Sequence, residues 1–338
     1  MTNHLLGRDR AELEALAAAL GQPAYRGRQL AHWLYAVGAT RFDAMTDLPA
    51  AFRQRLAAEF EIGAAAIVAR QGSADGSVKL LLELADGARV ETVALPWPDR
   101  LSVCVSSQTG CAIGCTFCAT ASLGAGRDLS PGEIAGQPLA ARAELGRAPT
   151  HVVLMGMGEP LANLDNVLAA VRLWRDELTL SPRRVTISTV GLPPAMARLA
   201  EAELPLTLAV SLHSADDELR AQLVPTAGRR YSVAQVLAAA REYGSRSGRR
   251  LTYEIALLAG VNDRPQDAEL LARRLTRGEH VNLIPYNPVG TAPYARPRPE
   301  AVGRFRAILE AAGLAVTQRQ ARGDDIAGAC GQLRAATA

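Results

Sequence analysis

Four of the five cysteines lie between Cys104 and Cys118, and three of them form the run Cys111-Ala-Ile-Gly-Cys115-Thr-Phe-Cys118. Thiolates at C-x3-C-x2-C spacing share one tight loop and can hold three irons of a [4Fe-4S] cluster, which ordinarily takes four cysteines. An iron without a protein ligand is a binding site rather than an electron relay. The competing reading, a structural zinc loop, expects four ligands, usually in two C-x2-C-type pairs. A second chemical element is Met155-Gly156-Met157-Gly158-Glu159-Pro160. Its glycines permit close backbone approach and its carboxylate suits an ammonium group.

The elements that must position these residues are short β-branched runs alternating with amphipathic helices. Strands are predicted at 101–106, 150–155, 184–188, 206–211, 251–257 and 281–285. Ser130-Pro131-Gly132-Glu133 joins a capping box to a proline at the first helical position, and Ser232 with Gln235 repeats the box. Six βα units imply parallel strands with right-handed crossovers, as an open doubly wound sheet or an incomplete (β/α) barrel. The unusual residues all fall at carboxyl ends of strands. In a barrel those ends meet on one face, so Cys111, Gly158, Ser188, His213 and Asn287 would converge. Upstream, segments near 9–20, 26–36 and 48–60 read as a compact helical unit. Residues 64–95 read as short strands joined by SADGS and ADGA, where Asp-Gly supplies the positive φ of a tight turn.

The 338 residues, 49% hydrophobic with 29 glycines and 19 prolines, suffice for one large domain with a small companion and exclude low-complexity classes. No apolar run reaches the ~18 residues of a membrane span. Acids interrupt what would have to be the apolar core of a signal peptide, so a cytoplasmic protein is expected, with its cysteines serving metal or catalysis rather than disulfides. Of 37 basic residues only Lys79 is lysine. An arginine-rich codon choice accounts for most of that bias. Between Leu219 and Arg250, however, seven arginines (220, 229, 230, 241, 246, 249 and 250) face one acid, Glu242, whereas residues 1–100 carry 11 basic and 12 acidic side chains. That segment is a candidate phosphate footprint, with a solvated helix face as the alternative.

The cysteine spacing resembles that of radical S-adenosylmethionine (SAM) enzymes, and the Gly-Met-Gly-Glu turn resembles their glycine-rich SAM-binding element. Further stretches narrow the likeness: Cys104-Val-Ser-Ser-Gln-Thr-Gly-Cys111, Ile187-Ser-Thr-Val-Gly191, Ala209-Val-Ser-Leu-His213, Gly260-Val-Asn-Asp263, Asn282-Leu-Ile-Pro-Tyr-Asn-Pro288, and Arg322-Gly-Asp-Asp-Ile326 leading to Ala329-Cys330-Gly-Gln-Leu333. Together they resemble the RlmN/Cfr family of radical SAM RNA methyltransferases nearly end to end. Tyr25 to Trp33 is similar to the family's accessory helical domain, which is thought to grip RNA.

The resemblance implies an α/β fold: an incomplete (β/α)6 barrel over 99–320, a helical accessory domain at 1–62, a β-hairpin extension at 63–98, and a tail at 321–338 carrying Cys330. It implies a [4Fe-4S] cluster on Cys111, Cys115 and Cys118, and SAM contacts at Gly158, Glu159, Ser188, Ser211, Leu212, His213 and Asn287. Cys330 would accept a methyl group from one SAM. A 5′-deoxyadenosyl radical from a second would abstract hydrogen from that methyl, and the carbon radical would add to C2 of adenine, a position too electron-poor for ordinary methyl transfer. Cys104 would resolve the adduct through a disulfide with Cys330, and Glu91 would accept the proton.

The implied substrates are 23S rRNA and tRNA, with flavodoxin or ferredoxin as electron donor and the chain as a monomer. The target adenine must leave its stack for a radical to reach C2, which favours looped RNA. Two rivals remain open: a Cfr-like enzyme acting at C8, and a metal-stabilised RNA-binding module without turnover. From the residues alone Cys104 reads as a buried structural thiol, His213 as a packed strand-end histidine, and Asp324 and Asp325 equally as helix caps ahead of Ile326. The sequence departs from the family pattern over Ala119–Leu129 and Ser211–Asp217, which touches substrate fit rather than the ligands.

Overall fold

The computed structural model describes residues 3–290 and 292–335. Ten strands pair in chain order into one sheet: β1 (Ala66–Gly72), β2 (Val78–Glu83), β3 (Arg89–Pro96), β4 (Leu101–Cys104), β5 (His151–Leu154), β6 (Val185–Thr189), β7 (Thr207–Ser211), β8 (Leu251–Leu257), β9 (His280–Pro285) and β10 (Ala315–Gln318). The first four pair antiparallel. From β4 onward every neighbour is parallel. Because the strand order never reverses, right-handed crossovers place the connecting helices on one face, and the sheet curls into a partial barrel rather than a doubly wound layer. The six predicted strands appear within two residues of their expected ends. Strand β10 escapes prediction because only Val316 of its four residues is even partly buried.

The helices are α1 (Arg10–Ala19), α2 (Tyr25–Ala31), α3 (Ala50–Glu59), α4 (Pro131–Leu145), α5 (Leu164–Glu177), α6 (Pro193–Glu201), α7 (Asp217–Leu223), α8 (Pro225–Arg230), α9 (Val233–Ser247), α10 (Pro265–Arg274) and α11 (Pro299–Ala311). The predicted capping boxes form at Ser130–Glu133 and Ser232–Gln235, satisfying amide donors at the starts of α4 and α9. Both hairpin turns place glycine at positive φ, Gly76 at +83° and Gly87 at +80°. The hairpin is more than a linker, because it extends the barrel sheet. Its β2 is buried at all but its last residue.

In the N-terminal unit, Leu13, Leu30, Leu34, Met45, Phe52 and Leu56 form the core. The second predicted helix does not run as α-helix to its end. It widens into a π-helix at His32–Val37 that stops at Gly38 in the left-handed region. The unit docks on α4 through Arg142, whose guanidinium donates to the Tyr35 carbonyl at 2.9 Å. Among the described residues no helix is long and apolar enough to cross a membrane.

Candidate active site

The loop after β4 carries the three clustered cysteines and is braced from below. The Thr116 amide donates to Leu223 O at 3.0 Å, and the Thr226 hydroxyl donates to Ala112 O at 2.9 Å, so the α7–α8 pair buttresses the loop. Cys111, Cys115 and Cys118 pack around Ile113, Phe117 and Tyr286. Burial, with help from neighbouring thiols, pushes the Cys111 thiol up to about 12 and Cys115 well above the ordinary thiol range. Iron would relieve that cost by stabilising the thiolates. Three thiolates on one loop match three corners of a four-iron cube, whereas a structural zinc ion takes four ligands, so the donor set fits a cluster better than a zinc ion.

Arg220, at the buried face of α7, is wholly buried without a carboxylate partner. Its Nη atoms donate to Val190 O at 2.5 Å and Tyr231 O at 3.1 Å, and its Nε has no partner. Burial pulls its pKa down while Cys115 raises it. The guanidinium therefore supplies positive charge on the side of the loop where cluster thiolates would concentrate negative charge.

An inner chamber opens above this loop at the carboxyl ends of β5 to β9. Cys115, Cys118, Gly158, Glu159, Ser188, Ser211, His213, Asn287 and Cys330 line it, so the structure brings these sequence-predicted residues together. Gly158, at φ +101°, could not carry a side chain, because a Cβ would lie 2.7 Å from the Gln108 backbone nitrogen. Glu159 is buried, and its two oxygens accept from the amides of Leu161 at 3.0 Å and Val190 at 2.9 Å. Burial raises its pKa despite those donors. The carboxylate thus ties the ends of β5 and β6 together and keeps further lone pairs for a ligand. Asn287 donates to Cys330 O at 3.3 Å, while its buried Oδ1 has no partner and is available to a cofactor.

His213 holds φ +61° at the end of β7, an uncommon conformation for a non-glycine residue. Its Nδ1 accepts the Ala256 amide at 3.1 Å, and burial, reinforced by Arg220, lowers its pKa to about 3. The ring is therefore neutral and packs edge-on to Phe117. Leu212 is the exception among the expected SAM contacts: its side chain is wholly buried in the core, and its amide donates to Glu254 O. Its carbonyl accepts the Ser214 amide at 2.8 Å, and Leu212 does not line the chamber. Sequence reasoning passed over two residues. Glu254, buried on β8, accepts from Ser188 Oγ at 3.2 Å and lines the chamber. Asn262 donates to both His213 O and Ala256 O, at 2.8 Å each, locking the β7 and β8 ends. Its place in Gly260-Val-Asn-Asp263 was the available signal.

An outer pocket of about 390 Å³ adjoins the chamber, lined by Val93, Leu95, Trp97, Cys104, Val153, Ile284, Arg319 and Cys330 among others. Cys330 therefore borders both spaces. The disulfide implied between Cys104 and Cys330 is not formed, and all five cysteines are free thiols. Burial pushes Cys104 up to about 12, with Cys330 adding to the rise, and raises Cys330 as well, while Arg319 pulls both down. Arg319 also approaches Glu254 at 3.6 Å.

Glu91 lies on the pocket face of β3, one pleat deeper than Val93 and Leu95. Its carboxylate pairs with Lys79 Nζ at 3.0 Å and accepts the tail amides of Arg334 at 2.7 Å and Ala335 at 3.2 Å. Asp324 and Asp325 begin a short 3-10 turn, but neither side chain caps it. Asp325 instead accepts the Ala74 amide and Asp324 accepts from Gln332 Nε2, so both fix the tail.

The basic segment does not form one surface. Arg220 is buried below the loop. Arg241 pairs with Glu279. Arg249 donates to Arg183 O and to Thr207 at the start of β7, which puts it at the amino-terminal end of the strands, opposite the chamber. A continuous phosphate footprint is thereby ruled out for Arg220–Arg250, and only Arg229, Arg230, Arg246 and Arg250 are exposed.

A cysteine loop and a glycine-glutamate turn at the carboxyl ends of a partial barrel define a radical SAM enzyme, and residues 105–272 match the Radical SAM superfamily. Residues 3–62 match the Ribosomal RNA large subunit methyltransferase N-terminal domain. The chain is 50% identical to a probable dual-specificity RNA methyltransferase RlmN of Thermosynechococcus vestitus over 98% of both chains, and 48% identical to one of Thermus thermophilus over 95% of this chain and 92% of the other. The crystal structure of a radical SAM methyltransferase from Sphaerobacter thermophilus superposes with a TM-score of 0.95 at 46% identity, covering 98% of this chain and 99% of that one. The chain belongs to the RlmN family of radical SAM RNA methyltransferases.

Proposed function

We propose that the protein methylates C2 of an adenosine in the peptidyl transferase centre of 23S rRNA and of the adenosine 3′ of the anticodon in tRNAs, through a methylated Cys330. The observation that carries this reading is the position of Cys330 on the wall shared by two compartments, with Cys104 on the outer one. When bound, a [4Fe-4S] cluster on Cys111, Cys115 and Cys118 and SAM against Gly158, Glu159, Ser188, Ser211, His213 and Asn287 would supply the methyl group and the radical chemistry an unactivated C–H position requires.

The chain's own residues supply the rest. Burial keeps the Cys330 thiol protonated at rest, and the nearby Arg319 guanidinium favours the thiolate when it forms. The apolar walls of the outer pocket, Val93, Leu95, Val153 and Ile284, suit a base taken out of its stack and exclude water around it. Cys104 faces that pocket as the thiol that would release the product. Glu91, the expected proton acceptor, would have to loosen its hold on the Arg334 and Ala335 amides to meet the base. Residues 1–62 would grip RNA, 63–98 and the tail 321–338 would frame the outer pocket, and 99–320 would carry the cofactors. A cytoplasmic monomer supplied with electrons by a flavodoxin or ferredoxin accords with this reading.

Mass spectrometry of rRNA and tRNA from a deletion strain tests the assignment. Loss of 2-methyladenosine from both RNAs is expected. Its unchanged abundance overturns the reading, and loss of 8-methyladenosine instead moves the chemistry to C8.

A further inference from the structure

Lys79 is the only lysine among 37 basic residues, and it stands in the interior. Codon preference accounts for arginine elsewhere, but not for the single position that resists it. The ammonium is a compact point charge whose donors can be aimed in separate directions, whereas a guanidinium is a wider planar fork. Lys79 uses that freedom: Nζ pairs with Glu91 Oε1 at 3.0 Å and donates to Ala327 O at 3.3 Å, with side-chain exposures of 10% for Lys79 and 2% for Glu91. The other Glu91 oxygen accepts the amides of Arg334 and Ala335. One buried pair therefore grips the tail on both sides of Cys330.

The strand register explains why this grip bears on the thiol. Lys79 and Cys104 are both register partners of Val93, so all three project to one face of the sheet, where Val93 and Cys104 line the outer pocket. The residues between the two grips are stitched to the cluster loop and to the end of β9, by Ala119 N to Gly331 O at 2.7 Å and Asn287 Nδ2 to Cys330 O at 3.3 Å. Those contacts set the depth of the loop. Its shoulders are set by the pair on the hairpin.

We infer that Lys79 and Glu91 form a buried clasp that positions Cys330 at the boundary between the two compartments, making Lys79 a positioning residue for methyl transfer. The inference rests on Cys330 being the methyl acceptor, but its primary readouts do not depend on turnover.

The test uses full-length, cluster-loaded protein. In Lys79→Met, hydrogen exchange at residues 327–335 should accelerate roughly tenfold or more while amides of β8 and β9 keep their protection. The cluster absorption and reductive SAM cleavage should persist, and kcat for RNA methylation should fall by about a hundredfold with little change in KM, as expected when a reacting group is misplaced. Glu91→Gln, which keeps the shape and removes the charge, covers the case in which Lys79→Met does not fold. Because no other lysine exists, acylation by an amine reagent, mapped to Lys79 by peptide mass spectrometry and so kept apart from the α-amine, reads the clasp: Lys79 should resist it in the unaltered chain and react in Glu91→Gln. Unchanged tail exchange in the foldable variants, or free acylation of Lys79 in the unaltered chain, overturns the clasp. Retained methylation by Cys330→Ala would sink the proposed function instead and leave the exchange result standing.

Discussion

The inner chamber is walled by the carboxyl ends of parallel strands, whereas the outer pocket adds the antiparallel β3 and the C-terminal tail to Cys104, Val153 and Ile284 of the barrel. The first is held within the barrel, by side chains that tie the backbone of neighbouring strand ends: Glu159 joins β5 to β6, and Asn262 joins β7 to β8. The second is held by side chains that bring the tail onto the hairpin. Asp75 accepts the Gly323 amide, Arg322 donates to Asp75 O and Pro96 O, and Trp97 lies under Arg322 at 4.4 Å. Although burial opposes it, hydrogen bonds from Ser77 and Gly323 hold the Asp75 carboxyl well below its usual range. On the proposed function, the cofactor site is thus built into the barrel, and the methyl-accepting thiol is delivered by an added segment.

The largest expected effect separates the two compartments. Cys330→Ala should abolish RNA methylation while leaving the cluster and reductive SAM cleavage intact, and Cys104→Ala should accumulate a covalent protein–RNA adduct visible on denaturing gels. Loss of SAM cleavage in Cys330→Ala would show that the thiol also belongs to the inner chamber's binding machinery, and the division would fail. A smaller effect is expected from the inner side. Glu159→Gln leaves one of the Leu161 and Val190 amides facing an NH2 group, at a cost of about 1–3 kcal/mol for an unsatisfied buried donor. Thermal denaturation should register that loss and calorimetry a weaker SAM affinity, with alkylation of Cys104 in the outer pocket unchanged.

The same contrast governs what could be read from sequence. Cys111, Cys115, Cys118, Gly158 and Glu159 are legible because cofactor chemistry fixes residue type and spacing within one βα turn. The order of β4 to β9 follows from their alternation with helices. The tail's attachment to the hairpin was not legible: Glu91 and Arg334 are far apart in the chain, and no local pattern marks such a pair. The basic segment misled for a related reason. Charge counted along the chain cannot distinguish a buried Arg220 from an exposed Arg246, because α7 and α9 turn their faces independently. Leu212 stands between two chamber-lining residues, yet strand alternation sends its side chain into the core.

At working pH the smallest effect is expected from His213→Asn, and it tests whether the inner chamber's geometry is set by hydrogen bonding rather than by charge. Asparagine tolerates the left-handed conformation, and its Oδ1 can replace Nδ1 as acceptor for the Ala256 amide. The fold and SAM binding should therefore survive near neutrality. Below that, the two chains should diverge. The His213 pKa lies near 3 in the folded protein against 6.5 for a free side chain, so across that window the unfolded state binds the additional proton. The stability this residue contributes is complete above 6.5 and drains away as pH falls through 3, by up to roughly 5 kcal/mol at about 1.4 kcal/mol per unit. Urea titrations at successive pH values should show a shallower acid limb in His213→Asn. Equal slopes would mean that His213 carries its proton in the folded chain, and a cationic ring beside Arg220 would overturn the picture of a neutral acceptor holding the β7 and β8 ends.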